Sequence, residues 1–143
     1  MINENILSPA ERIDNINNIM LVDDDQMQLK LIGFMLIKEK FDVVCTVTNG
    51  QDAIKIYENI KDSIDLVILD LFMPPGINGI HVLEKILLIN PLANIIMCSG
   101  IGEENIMKQA LLRGAKAFVN KPVIRDKLFQ AIDNIQNPQS EQD

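Results

Sequence analysis

Five short apolar runs, each followed by a stretch of helical spacing, divide the chain between Asn18 and Gln136. The runs at 18–23, 42–47, 65–69, 94–98 and 116–119 have the length and aliphatic character of buried strands. Between and after them, apolar residues return in three- and four-residue steps: Met27, Leu31, Phe34 and Met35; Ala53, Ile54 and Tyr57; Val82, Leu83, Ile86 and Leu87; Ile106, Ala110 and Leu111; Leu128, Phe129 and Ile132. That spacing predicts one helix after each strand, with the named residues on its buried face. Asp25 with Gln28 has the form of a helix-starting box, and Gly114 follows Arg113 where a left-handed C-terminal residue is wanted. Ser8-Pro-Ala-Glu11 has a similar capping form, so residues 1–17 are expected to be an extension carrying a short helix or forming a loose tail. Residues 137–143 are expected to fray.

Strand–helix alternation with right-handed crossovers produces a parallel sheet with helices on both faces. Five such units over residues 18–136 predict a flavodoxin-like (βα)5 doubly wound sheet of strand order 2-1-3-4-5. The first run ends in Asp23-Asp-Asp25 and the third in Asp70. In that order strands 1 and 3 are neighbours, so Asp23, Asp24 and Asp70 converge on the carboxyl edge of the sheet, where open α/β folds bind ligands. Carboxylates so placed repel one another, and a cation is expected among them.

Composition narrows the class. With 143 residues, 48% hydrophobic and 23% charged, the chain suits one folded domain. A net charge of −7 argues against nucleic acid or an anionic membrane as a direct partner. No apolar stretch is long enough to span a bilayer, and Met1-Ile-Asn-Glu-Asn lacks the form of a secretory signal, so a soluble cytoplasmic location is expected. Cys45 and Cys98 have no metal-ligand spacing and read as structural free thiols. His81 is assigned no role.

Four ordered segments carry the chemistry: Leu21-Val-Asp-Asp-Asp25, Asp65-Leu-Val-Ile-Leu-Asp70-Leu-Phe-Met-Pro74, Met97-Cys-Ser-Gly100 and Phe118-Val-Asn-Lys-Pro122. Together they resemble the receiver domain of bacterial two-component response regulators, over about residues 18–136. The resemblance implies that Asp70 is the phosphoacceptor. It implies Mg²⁺ as the cofactor, held by Asp23, Asp24, Asp70 and the backbone carbonyl of Phe72. Lys121 would pair with Asp70 and then with phosphoryl oxygens, Ser99 would donate its hydroxyl to the phosphoryl group, and Pro122 would follow a cis peptide bond. Phe118 takes the place of a switching aromatic that packs inward once Ser99 moves. The implied partners are a histidine kinase or histidine phosphotransfer protein, and a downstream protein contacting helix 4, strand 5 and helix 5. Self-association into a homodimer is left open.

Two departures from the family pattern stand out. The loop Pro74-Pro-Gly-Ile-Asn-Gly79 is one residue longer than usual before its glycine, and Phe72 and Ile101 place bulk beside the pocket. The second predicts slow loss of the phosphoryl group. Other classes fit less well. A haloacid-dehalogenase-type phosphatase would need an acidic residue where Phe72 stands, and a flavin or nucleotide binder would need a Gly- or Ser/Thr-rich loop after strand 1. A phosphorelay carrier and a non-phosphorylated scaffold remain as alternative roles for the same domain, and turnover of an external substrate is not expected.

Overall fold

The computed structural model describes residues 15–138. Strands β1 (Asn18–Val22), β2 (Asp42–Val47), β3 (Leu66–Asp70), β4 (Ile95–Ser99) and β5 (Ala117–Asn120) alternate with helices α1 (Gln26–Lys38), α2 (Gly50–Ile60), α3 (Gly79–Ile89), α4 (Glu104–Leu112) and α5 (Arg125–Gln136). All neighbouring strands pair in parallel, in the order β2-β1-β3-β4-β5. This is the flavodoxin-like topology the strand–helix alternation predicts. The short helix suggested by Ser8 to Glu11, and the tail from Gln139 onward, lie outside the described residues.

The sheet's pleat sorts its side chains into two cores. Met20, Val22, Val67, Leu69, Ile95 and Met97 pack against Ala53 and Tyr57 of α2, Val82, Leu83 and Ile86 of α3, and Met107 and Ala110 of α4. Their sequence neighbours Ile19, Leu21, Leu66, Ile68, Ile96 and Cys98 face Leu29, Ile32 and Leu36 of α1 and Leu128, Ile132 and Ile135 of α5. Strands β3 and β4 are buried at every position, as central parallel strands covered on both faces must be. Edge strand β2 is half open, so Cys45 is partly exposed there while Cys98 is fully enclosed; both are free thiols.

Helix α1 departs from expectation. Met27, Leu31 and Phe34 face solvent at 63%, 49% and 63% exposure, and the buried face is Leu29, Ile32, Gly33 and Leu36. The helix is apolar nearly all round, so its sequence offers two apolar stripes. The stripe containing Gly33 faces the sheet, with Gly33 beside Leu21. In α4, likewise, Met107 and Ala110 are buried while Ile106 and Leu111 are partly exposed. The other three helices bury the predicted residues, with Ile54, Leu87 and Phe129 at the margins.

The punctuation holds with one exchange. Asp25 caps α1 by accepting the Met27 N–H at 2.9 Å, but its own N–H is taken by Asp23 Oδ1 at 2.9 Å rather than by Gln28. Gly114 has φ +123°, as a left-handed residue after a helix should. No helix of the described residues is long and apolar enough to cross a membrane.

Candidate functional site

The carboxyl edge gathers residues from every strand except β2. Register places Val22 beside Leu69 and Asp70 beside Cys98, so the chain leaving β1 and the end of β3 arrive side by side. Asp23 and Asp70 are each 3% exposed, whereas Asp24 stands in solvent. Ligand atoms of Asp23, Asp24 and Asp70 all lie within 4.8 Å of one another. In the β3–α3 loop, Gly76 N–H bonds back to the Met73 carbonyl, and Gly79 N–H bonds to the Leu71 carbonyl at 2.8 Å. Phe72, two residues past Asp70, is 62% exposed, and Ile101 is almost fully exposed after β4.

From β5 comes Lys121, preceding Pro122 across a cis peptide bond. Its ammonium lies 2.8 Å from Asp70 Oδ1 and 3.2 Å from Asp23 Oδ2. One ammonium therefore faces two buried carboxylates, with a third at the rim. Burial pushes the Asp70 carboxyl up to about 6, a rise that Lys121 resists and Asp23 reinforces. Burial alone would lower Lys121, but the pairing with Asp70 and Asp23 outweighs it and raises the ammonium above its ordinary value. Three carboxylates against one ammonium leave two negative charges in excess, and such a set of hard oxygen donors fits a divalent cation.

That balance has a measurable consequence. A metal held by Asp70 would compete with protons as pH falls through about 6. Calorimetric titration with Mg²⁺ is expected to show about tenfold weaker binding at pH 5 than at pH 7. Equal affinities at the two pH values would remove Asp70 from the ligand set.

The end of β4 completes the site. Ser99 is 3% exposed, its hydroxyl donating to Asn120 Oδ1 at 3.3 Å, and its carbonyl accepting the Lys121 N–H at 2.7 Å. The following Gly100 N–H is held by Glu103 Oε1 at 2.7 Å. Phe118 pairs with Met97 in register and is 43% exposed. All the residues expected at the site thus sit on one edge or on the strands leading to it. Two participants escaped sequence reasoning, Asn120 and Glu103. Asn120 was legible only through register: it lies opposite Ser99 once β4 and β5 are paired.

The comparisons agree with this arrangement. The response regulator receiver domain family matches residues 19–133. Chemotaxis protein CheY of Treponema pallidum is 36% identical over 117 residues, covering 82% of this chain and 81% of its own. CheY of Bacillus subtilis is 36% identical over 121 residues, covering 85% of this chain and 98% of its own. Among solved structures, CheY in a CheX–CheY–BeF3–Mg²⁺ complex from Borrelia burgdorferi superposes with a TM-score of 0.79 at 34% identity, covering 83% of this chain and 88% of that one. A receiver domain protein from Clostridium thermocellum gives 0.80 at 29% identity, covering 90% and 100%. With its fold, its acidic edge and these relatives in agreement, the chain belongs to the response regulator receiver domain family of two-component signalling.

Proposed function

We propose that Asp70 accepts a phosphoryl group from a phosphohistidine donor and that the modified domain changes its protein contacts. The observation carrying this reading is the buried Asp70 carboxylate, 2.8 Å from the Lys121 ammonium at the centre of the acidic group. A carboxylate oxygen of Asp70 attacks phosphorus, the O–P bond forms as the N–P bond breaks, and the histidine ring of the donor leaves and takes up a proton. The ionised carboxylate is the nucleophile, so proton uptake near pH 6 silences it. Lys121 then has phosphoryl oxygens within reach in place of the free carboxylate. Asp23, Asp24, Asp70 and the backbone carbonyl of Phe72 are the proposed holders of Mg²⁺, which when bound offsets the charge of the transferred group. Phe72 stands where a haloacid-dehalogenase-type phosphatase would carry its acid.

Ser99 is the hydroxyl proposed to turn toward the phosphoryl group. Phe118, half-exposed on the same side of the sheet, would then pack inward and alter the surface formed by α4, β5 and α5. A groove there is lined by Phe118, Ile124, Lys116 and Lys127. The test is incubation with Mg²⁺ and acetyl phosphate, read by intact mass: one phosphoryl group is expected, lost on chelating the metal. A protein that stays unmodified with both a small phosphodonor and a phosphohistidine donor would leave the scaffold alternative standing.

The solvent face of α1 bears on how a donor docks. Met27, Leu31 and Phe34 form an apolar stripe starting one turn from Asp24, beside the pocket. We propose that a donor protein presenting its histidine to Asp70 lies over this stripe. Leu31→Asp or Phe34→Asp is expected to slow transfer from a phosphohistidine-bearing kinase domain about tenfold. Phosphorylation by acetyl phosphate should be unchanged. Equal loss from both donors would show that the stripe serves the fold and not docking.

A further inference from the structure

The Ser99 hydroxyl has one proton to give, and in this structure Asn120 takes it. The bond to Asn120 and a bond to a phosphoryl oxygen on Asp70 are therefore mutually exclusive. Ser99 is otherwise tied down: its strand pairs with β5 in register, Ser99 opposite Asn120, and its carbonyl holds the Lys121 N–H. The hydroxyl rotor is the part left free to choose.

The energetics favour an exchange. At 3.3 Å the Ser99–Asn120 contact is longer than the usual range for a hydroxyl donor, so releasing it costs little. A hydrogen bond to an ionised phosphoryl oxygen is roughly twice as strong as a neutral one. Asn120 is exposed, so its amide finds water once released. Its position also couples it to the output surface. The β4–β5 register sets Met97 opposite Phe118 and Ser99 opposite Asn120, and Phe118 and Asn120, two residues apart on β5, line the same groove. Letting go of the hydroxyl and turning the ring inward would change one continuous strand face.

Building on the reading of Asp70 as phosphoacceptor, we propose that Asn120 is the resting-state latch of this switch, a positioning residue whose amide oxygen holds the Ser99 hydroxyl until a phosphoryl group competes for it. Removing the latch makes the phosphorylated state easier to reach without touching the chemistry.

Beryllofluoride with Mg²⁺, used as a phosphoryl analogue, tests this by calorimetric titration of the wild type, Asn120→Ala, Ser99→Ala and the double variant. Asn120→Ala is expected to bind beryllofluoride about twofold more tightly than the wild type, the low end for one neutral hydrogen bond. In the Ser99→Ala background the same substitution should change nothing, because the hydroxyl it restrains is gone. Unchanged affinity in Asn120→Ala would overturn the latch. An equal gain with and without the hydroxyl would also overturn it, because the effect would then come from the surface alone. A wild type with no Mg²⁺-dependent binding at all would instead refute Asp70 as the phosphoryl site, and the latch with it.

Discussion

Asp70→Asn is expected to lose phosphoryl incorporation from acetyl phosphate by a factor of about 10³ or more, with the fold intact. The amide keeps the shape of the carboxyl group and removes the anionic nucleophile. Stability should move the other way. Burial raises the folded Asp70 carboxyl from 3.8 to about 6, so its ionisation opposes folding. The stabilising contribution of the protonated form is complete below about pH 3.8 and is lost as pH rises through about 6. Metal-free wild type at pH 7 therefore carries a penalty that Asn lacks, while Lys121 keeps its partner Asp23 at 3.2 Å. A higher thermal midpoint for Asp70→Asn without metal, together with absent phosphorylation, is the expected pair of results. Residual labelling at the wild-type rate would move the acceptor to another residue. A lower midpoint would mean that the carboxylate is a structural necessity.

The second large effect falls on Gly79. A Cβ there would lie 2.4 Å from the Asp70 carbonyl oxygen and 2.8 Å from the Leu71 Cα, both backbone atoms of the segment that carries Asp70. Neither can swing aside, and the Gly79 N–H is already bonded to the Leu71 carbonyl. Gly79→Ala is expected to destabilise by about 3 kcal/mol, at the upper end for overpacking. The affinity for Mg²⁺ should fall with it, because Asp70 is displaced. Gly33→Ala is the natural control. Its added methyl would meet Leu21 at an ordinary 3.9 Å, and alanine suits a helix interior better, so a gain of about 0.5–1 kcal/mol is expected. Urea denaturation of the two variants decides the matter: similar stabilities would mean the β3–α3 junction adjusts where the backbone contacts say it cannot.

How far the sequence could be read depended on how many alternatives each segment offered. Strands β3 and β4 are bounded by Asp65, Asp70, Asn94 and Ser99, and their ends fall within one residue of expectation. The acidic edge was legible because chain order and the right-handed crossover rule leave few sheets on which Asp23 and Asp70 do not meet. Helix α1 was harder. Met27, Leu29, Leu31, Ile32, Phe34, Leu36 and Ile37 are all apolar, and periodicity alone cannot say which stripe a sheet will cover. The stripe that is buried is the one containing Gly33, and nothing in the spacing marks it in advance. The Asp25 N–H found Asp23 rather than Gln28 because a buried carboxylate two residues back was already turned toward it. Asn120 carries no signal in one dimension at all. Its link to Ser99 exists only once β4 and β5 are in register.

The beginning and end of the described chain meet. Ile16 is buried among residues of α5, and its N–H donates to Gln136 Oε1 at 2.9 Å. Both lie at the amino edge of the sheet, with the acidic pocket at the opposite edge. For protein engineering this makes the fold a convenient cassette. A fluorophore-bearing protein or a surface anchor joined directly at either residue would start from the side away from the pocket. A short linker between the two ends would also permit new termini elsewhere, turning the domain into an insertable sensor module.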